Sequence, residues 1–313
     1  MIPMRVVVEV PASTANLGPG LDALGLALDI KNRYVFTAGE DGPDIEIYGE
    51  GEGELPTDHH HPGYRACMEC LAEWQVPIHG LSIRQTNHVP YSGGLGNSAT
   101  AVVAGLLAAY KLADRPIDTH DILQKAARME GHPDNVVPAY LGGLSVSVVD
   151  ASGRIVTNSI KPPDDLQIIL TVPRFTLSTS RSRKALPAQV PLKDALYNVG
   201  RTGLLVTALS AGRYDLLGEA MDDRLHQPYR AALVPGLMQV CRAARAAGAA
   251  GAALSGSGPT VLAFCCRHQC DPDAVGQAMV AAFAENNIPA YHLVVEPNYE
   301  GAVVFTTSSV AVG

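Results

Sequence analysis

A run of glycines that passes straight into an alanine- and leucine-rich segment is the feature that most constrains this sequence. Residues 93–99 read GGLGNSA, and the segment that follows, TAVVAGLLAAYKLA, has the composition of a helix. Glycines allow successive backbone N–H groups to turn toward one point, and a helix start adds unpaired N–H groups and the positive end of its dipole. The loop therefore predicts a phosphate-binding site, although a glycine loop before a helix can also be purely structural.

Comparison with known phosphate loops and nucleophile motifs narrows the kinds of active site that the sequence can form. The loop does not end in the Gly-Lys-Ser/Thr of a Walker A motif, and it lacks the G-x-G-x-x-G of a dinucleotide fold. The sequence contains no G-x-S-x-G nucleophile elbow, which argues against a serine hydrolase. Ser98, in the expected first turn of the helix, carries a hydroxyl suited to a Mg²⁺ ion or a phosphate oxygen.

The bulk composition excludes several classes of function. The 313 residues are 47% apolar and 17% charged, which favours large buried cores over disorder. The net charge of -8 and the absence of a basic run argue against binding to nucleic acid or to an anionic membrane. The first segment, MIPMRVVVEV, is typical of a strand rather than a signal peptide, so we expect a cytoplasmic protein.

Strand and helix patterns alternate along the chain. Residues 5–10 and 141–149 have the pattern of strands, and helical patterns lie between and after them. This mixture indicates an α/β or α+β fold. Apolar residues thin out over residues 150–163, which include a glycine and a proline pair. We therefore place a boundary there and predict an N-terminal domain of residues 1–160 and a C-terminal domain of residues 161–313.

Two groups of residues invite a metal-binding interpretation that the sequence does not favour. Cys67 and Cys70, and the cysteines within residues 265–270, lack the well-spaced ligand pairs of a zinc site, so we expect buried, reduced thiols. The three histidines at residues 59–61 are adjacent, and adjacent side chains rarely converge on one ion without outside ligands. A loop beside the nucleotide is the preferred interpretation for these histidines.

Three separated segments resemble the motifs of a known kinase superfamily. PASTANLGPGLDALGLAL, PYSGGLGNSATA and LSGSGPTVLAF follow, in order, the motifs of the GHMP kinases, named after galactokinase, homoserine kinase, mevalonate kinase and phosphomevalonate kinase. The flanking text resembles the homoserine kinases of that superfamily. This flanking text comprises NLGPG with Asp22, EGHPDN at residues 130–135, Ser178-Thr179 followed by Arg183, and DRLHQPYR at residues 223–230. Matches in this order across most of the chain are highly specific.

The resemblance implies a fold and a reaction. The expected fold is α+β, a two-domain GHMP kinase fold with an N-terminal domain like domain 2 of ribosomal protein S5 and a ferredoxin-like C-terminal domain. ATP and homoserine would meet in the cleft between the domains, with Mg²⁺ as the metal cofactor. ATP-dependent phosphorylation of the L-homoserine hydroxyl would give O-phospho-L-homoserine, in threonine biosynthesis. A homodimer is compatible with this expectation.

The resemblance also implies catalytic roles. Ser98 and Glu130 are expected to hold Mg²⁺, and together with Thr179 they form the predicted catalytic set. Mevalonate-type relatives carry an Asp where Thr179 stands, so no dedicated base is implied, although Asp134 is an alternative candidate. Phosphoryl transfer tolerates the absence of a base because positioning and charge stabilisation dominate a loose transition state.

The remaining site residues divide into two sets. The predicted ATP-binding residues are His61, Pro90, Tyr91, Ser92, Gly93, Gly94, Leu95, Gly96, Asn97, Ser98 and Ala99. The predicted homoserine-binding residues are Asn16, Asp22, His132, Asp134, Asn135, Arg183 and Arg230. In the second set, Asp22 would face the ammonium group, and the two arginines would clamp the carboxylate.

Several of these assignments have a structural alternative. Glu130 could be a solvated residue at a helix end, and Asp22 could be a helix cap. Residues 132–135 could form a turn that caps itself. Arg224 lies close in sequence to Arg230 and competes with it as the second carboxylate ligand.

Three positions depart from the family pattern. Asn97 replaces a Ser of the phosphate loop, which removes one hydroxyl that could contact phosphate. His61 stands where the family usually has an Asn that is thought to meet the nucleotide base. Leu21 replaces a usual Phe, which we expect to affect packing alone.

Two other functions are compatible with the motifs. A GHMP kinase for another small alcohol, of the mevalonate or shikimate type, would differ in its substrate contacts. A non-catalytic ligand sensor on the same fold is the alternative from a different class, but the presence of Ser98 and Glu130 argues against it.

Overall fold

The computed structural model describes residues 5–39, 42–91 and 93–307, without the side chain of Thr307. Ser92, one of the predicted ATP-binding residues, lies outside the described residues. Within these ranges, no helix combines the length and the apolar character needed to cross a membrane.

Runs of strands and runs of α-helices are interleaved along the described residues. The strands are β1 (Arg5–Ala15), β2 (Leu24–Ala38), β3 (Asp44–Gly49), β4 (Leu81–Asn87), β5 (Leu144–Val149), β6 (Ile155–Ile160), β7 (Leu166–Pro173), β8 (Gly251–Leu254), β9 (Val261–Cys266), β10 (Ala290–Val295) and β11 (Val303–Thr307). The helices are α1 (Pro62–Glu73), α2 (Asn97–Leu112), α3 (Thr119–Glu130), α4 (Val136–Leu141), α5 (Thr179–Lys184), α6 (Leu192–Ser210), α7 (Leu217–Ala220), α8 (Gln227–Arg230), α9 (Leu237–Ala246) and α10 (Pro272–Ala284).

The N-terminal half builds the larger of two sheets. In the described part of the chain this sheet has seven strands, with the path β11-β1-β2-β4-β3 and with β5 and β6 attached beside β2. The strands β3 and β4 are parallel and are connected through α1, whereas β1 and β2 form a long antiparallel pair. Alternate residues of β1, namely Val6, Val8 and Val10, are fully buried in a core shared with α1, α2, α3 and α4.

The C-terminal half builds an antiparallel sheet with the order β10-β7-β9-β8. Along the chain, these strands and their connecting helices follow the order strand, helix, strand, strand, helix, strand, which is the ferredoxin-like arrangement. One face of the sheet packs against α9 and α10 through residues such as Ile169, Val240 and Phe283. The predicted α+β fold with two halves is confirmed.

A third apolar cluster joins the two sheets. Leu26 of β2 and Leu170 of β7 belong to it, together with Leu205 of α6. The last strand, β11, pairs with β1, so the chain returns to the first sheet after completing the second. The division between residues 160 and 161 stays a prediction.

The strand expected over residues 141–149 is confirmed over Leu144–Val149, but its start was placed too early. Helix α4 ends at Leu141, Gly142 and Gly143 both have positive φ values, and β5 begins at Leu144. A short apolar run does not distinguish the end of a helix from the start of a buried strand, which explains the error.

The prediction of reduced thiols was wrong for one pair of cysteines. Cys265, near the end of β9, and Cys270, in the following turn, are joined by a disulfide across a Cα–Cα distance of 5.6 Å. The cysteines that are free and buried, as expected, are Cys67, Cys70, Cys241 and Cys266.

Candidate active site

The glycine loop leads into α2, as the sequence predicts. Gly96 precedes the first residue of the helix with a φ of 67°, and Gly94 has a φ of 85°. A Cβ at Gly94 would lie 2.4 Å from the carbonyl oxygen of Ser255, so this position requires glycine. The hydroxyls of Ser255 and Thr260 donate to the carbonyls of Gly94 and Gly93, respectively. The loop is thereby held against the glycine turn of the C-terminal half.

Ser98 and Glu130 meet at the start of α2. The Ser98 hydroxyl donates to Glu130 Oε1 over 2.7 Å, and Glu130 is the last residue of α3. Burial raises the pKa of Glu130, and the hydrogen bond from Ser98 opposes this shift only in part. A hydroxyl and a carboxylate at the N-terminus of a helix, beside a glycine loop, are a donor set that fits Mg²⁺.

The segment after α3 carries a second polar group of residues. His132 Nδ1 lies 2.6 Å from Asp134 Oδ1, and the Asp134 side chain is buried. Burial alone would lower the pKa of His132, but the hydrogen bond and charge of Asp134, together with nearby carboxylates, outweigh it and raise the pKa. Asn135 Oδ1 accepts a hydrogen bond from the Ser13 hydroxyl over 3.0 Å. The turn is therefore tied to β1.

The loop after β1 holds three non-glycine residues in the left-handed region, one of which is Leu17 with a φ of 51°. Asn16 has a φ of 68° and Asp22 has a φ of 58°. Asn16 Oδ1 accepts a hydrogen bond from the backbone N–H of Asp22, and its Nδ2 donates to the carbonyl of Gly256 over 2.8 Å. The Asn16 side chain thus fixes this loop and connects it to the C-terminal half.

Asp22 forms an ion pair with Arg183 of α5. Both terminal nitrogens of the guanidinium donate to the carboxylate, over 2.8 and 2.9 Å. The Arg183 and Asp22 side chains are 43% and 40% exposed, which places the pair at the mouth of the cleft. Burial opposes the ionisation of Asp22, but the Arg183 guanidinium prevails and lowers the pKa of the carboxyl.

Arg230 is a buried cation in the lining of the cleft. It is 2% exposed, and its NH1 donates to the Gly256 carbonyl over 3.1 Å and to His226 Nδ1 over 3.2 Å. Its Nε has no hydrogen-bond partner among the described residues, and no carboxylate there forms an ion pair with it. Burial lowers the pKa of its guanidinium. A buried cation of this kind is costly unless an anion joins it.

Arg224, the other candidate for the second carboxylate ligand, points away from the cleft. It pairs with Asp194 over 3.2 Å, and its guanidinium lies 3.7 Å from the centre of the Tyr197 ring. The geometry therefore favours Arg230 over Arg224 at the cleft.

The cleft contains a cavity of about 420 Å³. The predicted residues in its lining are Asn16, Asp22, His61, Tyr91, Gly93, Gly94, Gly96, Asn97, Ser98, Glu130, His132, Asp134, Asn135, Thr179, Arg183 and Arg230. Pro90, Leu95 and Ala99 are buried outside this lining, so their contact with ATP stays a prediction. The structure thus brings the predicted homoserine-binding set and most of the predicted ATP-binding set into one cleft.

The histidines at residues 59–61 separate in the structure. His61 is buried, its Nδ1 accepts from the backbone N–H of Tyr64 at the start of α1, and its Nε2 lies 2.6 Å from Gln85 Oε1. Both ring nitrogens are therefore occupied, although the ring lines the cavity. His59 and His60 are exposed, and their ring nitrogens lie within 4.8 Å of a carboxylate oxygen of Asp58 and of one another.

Other lining residues were missed by the sequence reasoning. Gly256 and Ser257 belong to the third motif, LSGSGPTVLAF, and that motif was the available signal. Ser257 Oγ lies 3.4 Å from the hydroxyl of Thr179. Gln85 had no signal, because it lies within the regular strand β4.

Comparison with known proteins places the chain among kinases. The family described as GHMP kinases N terminal domain matches residues 64–143, and that described as GHMP kinases C terminal matches residues 205–286. A homoserine kinase of Moorella thermoacetica is 42% identical over 298 residues, covering 95% of this chain and 99% of the relative. One from Desulfitobacterium hafniense is 40% identical and covers 96% of this chain and 99% of the relative.

Solved structures agree with this placement. A crystal structure of homoserine kinase from Cytophaga hutchinsonii has a TM-score of 0.85 at 30% identity, covering 96% of this chain and 97% of that chain. A mevalonate kinase of L. major, in complex with R-mevalonate, has a TM-score of 0.66 at 19% identity over 92% of this chain and 95% of that chain, which is a likeness of fold alone. The chain belongs to the GHMP kinase family, and it is an ATP-dependent small-molecule kinase.

Proposed function

We propose that this kinase transfers the γ-phosphoryl group of ATP to the hydroxyl of L-homoserine, giving O-phospho-L-homoserine. The observation that carries the proposal is the buried guanidinium of Arg230, which forms no ion pair with a described residue and lies in the same cavity as the Asp22 carboxylate and the glycine loop. An amino acid presents one anion and one cation, which this pair of groups complements. The names of the relatives with about 40% identity support the same substrate.

The carboxylate of homoserine would bind Arg230 and Arg183, and its ammonium group would bind Asp22. Because Arg183 and Asp22 are paired with each other, a zwitterion could replace each partner of that pair with a group of the same charge. A substrate with a carboxylate but no ammonium, such as mevalonate or shikimate, would leave Asp22 without its cation. The ion pair at the mouth therefore favours an amino acid over these alternatives.

The phosphate side would bind the nucleotide through the backbone N–H groups of the loop and the start of α2. Ser98 and Glu130 would hold Mg²⁺, which neutralises charge that develops on the transferred phosphoryl group. The loop itself excludes side chains at Gly94 and keeps the N–H groups in place before the substrate arrives.

No residue of the cleft is needed as an obligatory base. Asp134 is engaged with His132, whose raised pKa favours a charged pair, and Thr179 carries only a hydroxyl. The chain's contribution would be orientation of the hydroxyl and stabilisation of charge. We place the reaction on the route to threonine and the enzyme in the cytoplasm, with homoserine as its small-molecule partner.

An ADP-release assay across homoserine, mevalonate, shikimate and galactose tests the proposal. We expect homoserine to give the highest kcat/KM of the four. A tenfold or greater preference for mevalonate or shikimate would refute the substrate assignment. Binding of homoserine without turnover of any alcohol would instead identify the sensor alternative.

A further inference from the structure

His226 lies directly behind Arg230 and has no part in the cavity lining. It is fully buried in the turn before α8, one helical turn ahead of Arg230. Its ring contacts two segments of the site, the loop after β1 through Gly18 and the guanidinium of Arg230.

The contacts of His226 fix its tautomer. Nε2 lies 2.6 Å from the Gly18 carbonyl oxygen, which can only accept, so Nε2 carries the proton. Nδ1 lies 3.2 Å from Arg230 NH1, which can only donate, so Nδ1 carries the lone pair. Burial lowers the pKa of His226, in agreement with a neutral ring.

We propose that His226 is a positioning residue that orients the Arg230 guanidinium toward the substrate carboxylate through the Nδ1 acceptor. This inference rests on the function proposed above, in which Arg230 binds the carboxylate. The hydrogen bonds of NH1 go to two acceptors, His226 Nδ1 and the Gly256 carbonyl. Loss of the ring acceptor would leave the buried NH1 on one carbonyl and free the guanidinium to rotate.

A neutral acceptor suits this position better than a carboxylate. An acid in contact with Arg230 would pair with it and compete with the substrate for the same charge. The neighbouring Asp223 avoids such a pairing, because its carboxylate accepts from Asn198 and from backbone N–H groups, including those of His226 and Gln227. The imidazole therefore directs the guanidinium and leaves its charge available.

The backbone around His226 is held independently of its ring. The hydrogen bond from the His226 N–H to Asp223 Oδ2 measures 3.0 Å, and that from the Gln227 N–H measures 2.6 Å. Gln227 Oε1 in turn accepts from the backbone N–H of Leu254, at the end of β8. Substitution of the ring should therefore alter its contacts with Gly18 and Arg230, and its 3.6 Å approach to Asp223 Oδ2, more than the path of the chain.

Two substitutions separate the contacts of the ring. In His226→Asn, the amide oxygen can take the place of Nδ1 and accept from Arg230, whereas the donor to Gly18 is lost. In His226→Gln, the amide nitrogen can take the place of Nε2 and donate to Gly18, whereas the acceptor for Arg230 is lost. The two variants are matched in polarity and differ in which contact survives.

The measurement is kcat/KM for homoserine and for 3-amino-1-propanol, which has the hydroxyl and the ammonium group but no carboxylate. We expect His226→Gln to lower kcat/KM for homoserine about tenfold, the loss typical of one hydrogen bond to a charged group. His226→Asn should stay within about threefold of wild type, and 3-amino-1-propanol should change less than about twofold in both.

Equal losses for the two substrates, or an undiminished His226→Gln enzyme, would overturn the inference and leave His226 as a structural residue. If either variant does not fold, a crystal structure of the wild type with homoserine decides the question. A carboxylate on Arg230 with the contact to Nδ1 intact supports the proposal, and a broken contact refutes it. Absence of homoserine phosphorylation by the wild type would refute the proposed function itself, and with it this inference.

Discussion

The two ends of the cleft present different chemical groups, backbone N–H groups at one end and charged side chains at the other. On the phosphate side, one contiguous loop, residues 93–99, supplies backbone N–H groups and leads into α2. On the amino-acid side, charged side chains arrive from separate segments, with Asp22 after β1, Arg183 in α5 and Arg230 in α8. A site made of backbone depends on the shape of the loop, whereas a site made of side chains depends on each charge.

The amino-acid side is itself divided into a fixed part and an exchangeable part. Arg230 is buried, held by Gly256 and His226, and forms no ion pair with a described residue, although Asp22, Asp134 and Asp223 lie near enough for their charges to act on it. Arg183 is half-exposed and already paired with Asp22. In the proposed complex, the first arginine would gain a counter-ion from the substrate, whereas the second would exchange one carboxylate for another.

Removal of the charge on Glu130 should have the largest effect and should act on the phosphate side alone. For Glu130→Gln we expect kcat to fall by about two orders of magnitude, the scale of a lost electrostatic stabiliser, with the homoserine Kd nearly unchanged. Turnover and calorimetric binding measure the two quantities separately. Glu69→Gln, an exposed residue of α1, is the matched control. A kcat within about threefold of wild type would show that Glu130 is a helix-end residue without a catalytic role.

The two arginines test the division within the amino-acid side. We expect Arg230→Leu to raise the homoserine KM by roughly a hundredfold and Arg183→Leu by roughly tenfold, within the 1.5–3 kcal/mol range of charge-assisted contacts. The difference arises because Arg183 gives up its pairing with Asp22 when it binds the substrate. The ATP KM should remain near that of wild type for both.

Arg224→Leu is the control for these variants, because its guanidinium pairs with Asp194 away from the cleft. It should change the homoserine KM by less than about twofold. A larger effect of Arg183→Leu than of Arg230→Leu would reverse the assignment of the fixed and exchangeable positions.

The same division explains how far the sequence could predict the site. The phosphate loop is local, so glycine spacing and the helix after it were enough to locate Ser98 and its neighbours. The amino-acid side required the resemblance to a family, because no local pattern joins Asp22 to Arg230. The pairing of Asp22 with Arg183, and the use of both His61 nitrogens within the fold, depend on side-chain packing and had no signal in the sequence.

The last prediction concerns Asn97, the departure within the loop, and has the smallest expected effect. Its Oδ1 accepts from Asn32 over 2.8 Å, and its buried Nδ2 has no hydrogen-bond partner among the described residues. The side-chain amide is therefore turned toward the fold, which leaves the backbone to form the proposed cradle. Asn97→Ser should therefore change the ATP KM by less than about threefold. Ser98→Ala, which deletes the hydroxyl that donates to Glu130, should lower kcat, whereas Asn97→Ser should not. A tenfold fall in ATP KM for Asn97→Ser would mean that side-chain hydroxyls, and not the backbone alone, hold the phosphates.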